Sequence, residues 1–121
     1  MNEEKRLKLA LAWLRAEDQG LSDDWAIMEV GDLVANDPDE AWQVLPVLVE
    51  HATTDWQLTM IGSAPLEDLL TDYEDTYLEL LERVLTNRDK WANALQHVWI
   101  SHPAKKERVQ RLIELFQTNS P

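Results

Sequence analysis

The sequence predicts an all-α fold, and three observations lead to it. Apolar residues recur at i, i+3, i+4 and i+7 along most of the 121 residues. No stretch alternates with the period of two that a half-buried strand requires, and β-branched residues are few. Only three glycines and five prolines punctuate the chain, several of them where helices start or stop. The expected architecture is one domain over residues 1–121 with about seven short antiparallel helices. Helix pairs beginning at Asp37 and Thr71 suggest HEAT-like stacked hairpins; an irregular bundle is the alternative.

The first helix is expected from about Asn2 to Asp18, with Leu7, Ala10, Leu11 and Leu14 as its core stripe and Gly20 as a left-handed cap. Leu9 and Trp13 lie more than a quarter turn away and form a second apolar stripe. Either other helices cover it, or it is an exposed contact patch. Ser22 should cap the second helix, with Asp23 and Asp24 in a first turn whose dipole favours anions. Ile27, Val30 and Val34 point inward there. Gly31, on the same face, would let another backbone approach closely.

Asp37-Pro38-Asp39-Glu40 is a dense helix start, with Asp37 as cap, Pro38 at the first position and Glu40 completing a capping box. The helix it opens is apolar nearly all round, which marks a central position, and Pro46 should kink it. Thr53 or Thr54 starts a short helix that Gly62-Ser63-Ala64 breaks, and Pro65 starts another through Leu70. Thr71-Asp72-Tyr73-Glu74 reads as a capping box for a helix with Tyr73, Tyr77, Leu80, Leu81 and Val84 on one face. Asn87 caps the next, from Arg88 to Ile100, with Trp91, Leu95, Val98 and Trp99 inward. His102 caps the last, which Pro103 starts and which buries Val109, Leu112, Ile113 and Phe116.

Charge is segregated along the chain. From Ala16 to Glu82 there is no Lys or Arg, but there are eighteen Asp and Glu. All eleven basic residues and the other five acids lie outside that stretch, so the ends carry +6 against −18, giving the net −12. Such a field bears on partners rather than on fold. It repels phosphate backbones and anionic lipid, so neither nucleic acid nor membrane is an expected ligand. Asp72, Asp75, Glu79 and Glu82 gather on one side with no basic neighbour before Arg83. Like-charge repulsion costs stability there unless a basic partner, or the basic ends of the chain folding back, neutralises it.

The inventory for catalysis is thin. There is no cysteine, no G-x-S-x-G serine and no phosphate-cradling glycine loop. His51, His97 and His102 are scattered, with no H-x-x-x-H spacing for zinc. No cofactor and no metal are expected. Glu67 and Asp68 stand out, since they follow Pro65 in a first helical turn. They are either an anionic hook for a partner's Arg or Lys, or dipole compensation with Glu67 bonded back to the amide of Ala64. Of six tryptophans, Trp42, Trp91 and Trp99 fall on apolar stripes and are expected in the core. Trp13, Trp25 and Trp56 are candidate surface anchors.

Three segments are notable together: Asp37-Pro38-Asp39-Glu40-Ala41-Trp42, the run from Gly62 to Leu70, and Ala94-Leu95-Gln96-His97-Val98-Trp99. They resemble a family of small bacterial all-helical domains of unknown function with the pattern D-P-E-x-A-W, G-A-G-P-L-E-D-L-L and A-L-x-x-V-W. Ser63 and Ala64 depart from the A-G of that pattern. The resemblance implies an all-helical fold and no particular activity.

The expectation is a non-enzymatic acidic interaction module that binds a basic protein partner, in the manner of an immunity protein or antitoxin masking a toxin. Its candidate contact residues are Glu67, Asp68, Asp72, Asp75, Glu79, Glu82, Trp13 and Trp56. The alternatives are a regulator that mimics nucleic acid and a scaffold homodimer formed through Leu9 and Trp13. With no signal peptide and no membrane-spanning segment in the sequence, the expected location is the cytoplasm.

Overall fold

Two apolar stripes compete along the first helix, and the one with the tryptophan is buried. The computed structural model describes residues 1–21 and 24–118. Helix α1 (Glu3–Gln19) is capped by Asn2, whose side chain accepts from the Lys5 amide at 2.8 Å, and ends at Gly20 with φ 68°. Its buried residues are Leu9, Ala10, Trp13, Leu14 and Ala16, while Leu7 and Leu11 are exposed. The expected stripe is therefore rotated, because an indole removes more apolar surface from water than a leucine does.

Helix α2 (Trp25–Asn36) is capped by Asp24, whose side chain accepts from the Ala26 amide at 2.9 Å. Ser22 and Asp23, read as cap and first turn, lie outside the described residues. Helix α3 (Pro38–His51) starts as expected at Asp37, which accepts from the Glu40 amide at 3.4 Å. Glu40 does not close a capping box. Its carboxylate takes two hydrogen bonds from Arg6, at 2.7 and 3.1 Å, and pairs with the terminal amine of Met1 at 3.1 Å. This ties α1 to α3. Pro46 lies on the solvent side of α3, and the helix runs past it to His51.

Helix α4 (Asp55–Ile61) has a true capping box between Thr54 and Gln57. The chain does not break at Gly62-Ser63-Ala64. It passes through a π-helical turn, Gly62–Leu66, into α5 (Glu67–Asp72). The wider π turn carries Pro65 inside a continuous rod, although proline has no amide to donate. Thr71 closes this rod instead of opening a helix; its hydroxyl donates to the Glu67 carbonyl at 2.8 Å. Helix α6 (Thr76–Leu81) starts later, after Tyr73 in extended conformation. Helix α7 (Arg88–Leu95) ends well before Ile100, and α8 (Pro103–Thr118) buries all four residues of its predicted stripe.

With α4, the π turn and α5 counted as one rod, seven helical rods surround a single core among the described residues. Helix α3 touches α1, α2, α4, the π turn and α7, as its all-round apolar sequence predicts. Contacts of α1 with α4, and of α3 with α7, join elements far apart in sequence. A stacked array would place each hairpin against its neighbours only, so the architecture is an irregular bundle. An aromatic cluster lies at its centre, with Trp42 stacked on Trp91 at 5.8 Å and beside Tyr77 at 6.2 Å.

Candidate functional site

The acids of the Lys/Arg-free stretch divide into two groups. On α6 and its flanks, the chain supplies its own cation. Arg108 of α8 reaches Asp75 at 3.3 Å and Glu82 at 2.6 Å, and the charge of Glu79 also acts on it. Asp72 belongs to the preceding rod. The predicted four-residue face of Asp72, Asp75, Glu79 and Glu82 is therefore split, and two of its members, Asp75 and Glu82, share one cation from within. Other basic residues of the C-terminal part serve helix ends. Lys105 donates to the carbonyls of Leu70, Tyr73 and Glu74 at 2.7, 3.3 and 3.2 Å. Lys90 donates to those of Glu50 and Ala52 at 2.8 and 2.9 Å.

Glu67 is a structural residue. Its carboxylate accepts the Trp99 amide at 2.7 Å, in place of the expected bond to Ala64, and pins the chain leaving α7 against the start of α5. Trp99 is not core: the helix has already ended, and the side chain is 73% exposed. Gly62 meets α7 nearby, so the Gly62–Leu70 and Ala94–Trp99 segments touch at two points.

Asp68 faces the other way, toward α1 and α2. It lines a cavity of about 160 Å³ together with Trp13 and Glu17 of α1, Ile27, Val30, Gly31 and Val34 of α2, and Ala64 and Pro65 of the π turn. Burial beside these apolar walls raises the Asp68 carboxyl above the usual range, and the charges of Asp72 and Glu67 raise it further. Burial alone raises Glu17. Neither carboxylate has a hydrogen-bonding or ion-pairing partner among the described residues.

Trp13 is 2% exposed, so it is no surface anchor, and Leu9 is buried with it. The homodimer face drawn through these two residues does not exist. Trp13 instead forms a wall of the cavity. Trp56 is exposed, as predicted, and its indole donates to the Glu17 carbonyl at 3.1 Å. Beside it, Gln57 donates to Asp18 at 2.7 Å, so the start of α4 is fixed to the end of α1. Thus Trp13, Trp56 and Asp68 converge on one region, whereas Glu67, Asp75 and Glu82 are used elsewhere.

Glu17 is the residue that sequence reasoning missed. Its signal was its place four residues after Trp13, on the same helix face. Gly31 was singled out for close backbone approach, but nothing lies within 4 Å of a Cβ built there; the close approach is at Gly62. Among the described residues, no group of three or more His, Asp or Glu converges as metal ligands would, and no helix is long and apolar enough to cross a membrane.

The two largest of the other grooves are poorer candidates. One of about 410 Å³ between α7 and α8, beside Trp99, is lined by no carboxylate. The other, of about 420 Å³, contains Lys105 and Arg108, whose cations are already engaged. No curated protein and no solved structure matched the chain. The profile of DUF6869, a family of unknown function, matches residues 15–117, from within α1 nearly to the end of α8, and the chain belongs to that family.

Proposed function

We propose that this protein is a non-enzymatic acidic interaction module that binds a basic protein partner. Its most specific form is an immunity- or antitoxin-like protein that covers a toxin's cationic surface. One observation supports the reading above the others. Glu17, half-buried, and Asp68, at the open edge of the cavity, have no cation among the described residues, although the same chain brings Arg108 and Arg6 to other acids. Leaving such groups unpaired costs stability, and an incoming cation removes that cost. The acids around the cavity would also steer a basic partner and speed its association.

The test is affinity capture on the immobilised chain from its native cell, followed by elution at rising salt. A basic protein should elute between about 0.1 and 0.5 M salt, where screening shortens the reach of exposed charges. Its association rate should fall as salt rises. A partner whose affinity is indifferent to salt rejects the reading.

A further inference from the structure

Resting on that reading, we infer that the cavity between α1, α2 and the π turn receives a single arginine side chain of the partner, with Glu17 and Asp68 accepting from its guanidinium. Size limits the occupant first. Nucleotides and drug-sized ligands take roughly 300–1,000 Å³, and about 160 Å³ suits one long side chain. Chemistry limits it further. The walls formed by Val30, Val34 and Pro65 match a methylene stem, while the two carboxylates offer only acceptors. A planar guanidinium has donors on several edges and can serve carboxylates on two elements at once, which a compact ammonium does less well.

Trp13 adds a second, independent observation. It is almost wholly buried, yet its indole N–H has no acceptor among the described residues. Among the described residues no side-chain nitrogen or oxygen is both fully buried and unpartnered, so this N–H keeps a small contact with solvent. A main-chain carbonyl of the entering residue is the acceptor such a donor calls for. Gly31 leaves the α2 wall open, with nothing within 4 Å of where a Cβ would stand.

The experiment uses the full chain and blocked amino acids as probes: N-acetyl-arginine N-methylamide, its lysine counterpart, and the neutral citrulline isostere. Binding is followed in amide and indole N–H spectra, where the Trp13 indole has its own signal. Blocked arginine should shift the Trp13 indole and the amides of Gly31 and Ala64, and should bind about tenfold more tightly than blocked citrulline. The Glu17→Gln/Asp68→Asn variant should lose that preference without a fall in Tm. Gly31→Leu keeps both carboxylates but fills the space, and should abolish the response. Equal binding of citrulline, shifts confined to exposed acids elsewhere, or an undiminished response in Gly31→Leu overturns the inference, as does lysine binding more tightly than arginine. Those results leave salt-dependent capture of a basic partner intact, so failure of the cavity and failure of the wider reading are read separately.

Discussion

A Cβ added at Gly62 would stand 1.9 Å from the carbonyl oxygen of Ala94, on the backbone of α7. Gly62 itself has ordinary helical angles, so this glycine is required for space and not for conformation. Gly62→Ala should therefore push the rod away from α7 and cost about 3 kcal/mol, at the upper end of overpacking. Gly31→Ala is the opposite case. The site is open and helical, so relief of glycine's backbone entropy should stabilise by about 0.5–1 kcal/mol. Urea midpoints at constant slope measure both, and equal effects at the two sites would refute the packing argument. Glu67 gives a third residue-level expectation. Glu67→Gln leaves the Trp99 amide a neutral acceptor in place of a charged one, which should cost about 1 kcal/mol. Partner affinity should not change, since that carboxylate is already engaged within the fold. A lost affinity with unchanged stability would make Glu67 a contact residue instead.

At the scale of elements, the charge segregation has an internal use. Neither α3 nor α5 carries a Lys or Arg in its last turn, and their carbonyl ends are served across the bundle by Lys90 and Lys105. Cations at helix C-termini gain from both the dipole and the orphan carbonyls. Lys105→Met, which keeps most of the stem, should destabilise by about 1–2 kcal/mol. Lys106→Met, exposed on the same helix, should change stability by less than about 0.5 kcal/mol in denaturant titrations. Such pairings join residues more than 30 apart, and no local spacing announces them. What the sequence made legible was local. The stripe of α8, the caps at Asp37, Thr54 and His102, and the all-round apolar α3 follow from short-range pattern and hold in the structure. Where two local signals competed, tertiary packing chose between them. Trp13 won over Leu7 and Leu11, and a π turn carried the rod through a Gly-Ser-Ala-Pro sequence that reads as a break. The cavity was half legible: Asp68 was named, whereas Glu17 needed the true rotation of α1 to be seen.

For the whole molecule, pH separates the two kinds of acid. Arg6 holds the Glu40 carboxyl below its ordinary range, chiefly through their hydrogen bond. The stability this pair contributes is complete above the unfolded carboxylate pKa, about 4.3, and is lost as pH falls through the lower folded value. Glu17 and Asp68 have the reverse sign. Burial raises both, so their ionised forms cost stability above the raised folded pKa, and that cost disappears as pH falls to the ordinary value. A net charge of −12 adds general self-repulsion, which protonation and salt both relieve. Calorimetry from about pH 8 to pH 3 should therefore show Tm rising on acidification to a maximum near pH 5, then falling as Glu40 protonates and releases α1 from α3. In Glu17→Gln/Asp68→Asn the rise should be smaller and the Tm at pH 7 higher, because the desolvated charges are gone while the Arg6–Glu40 pair is untouched. Adding salt at pH 7 should raise the wild-type Tm more than that of the variant. If Tm instead falls steadily from pH 7, the two cavity carboxylates are not under strain, and the unpaired charge on which a basic partner would act is absent.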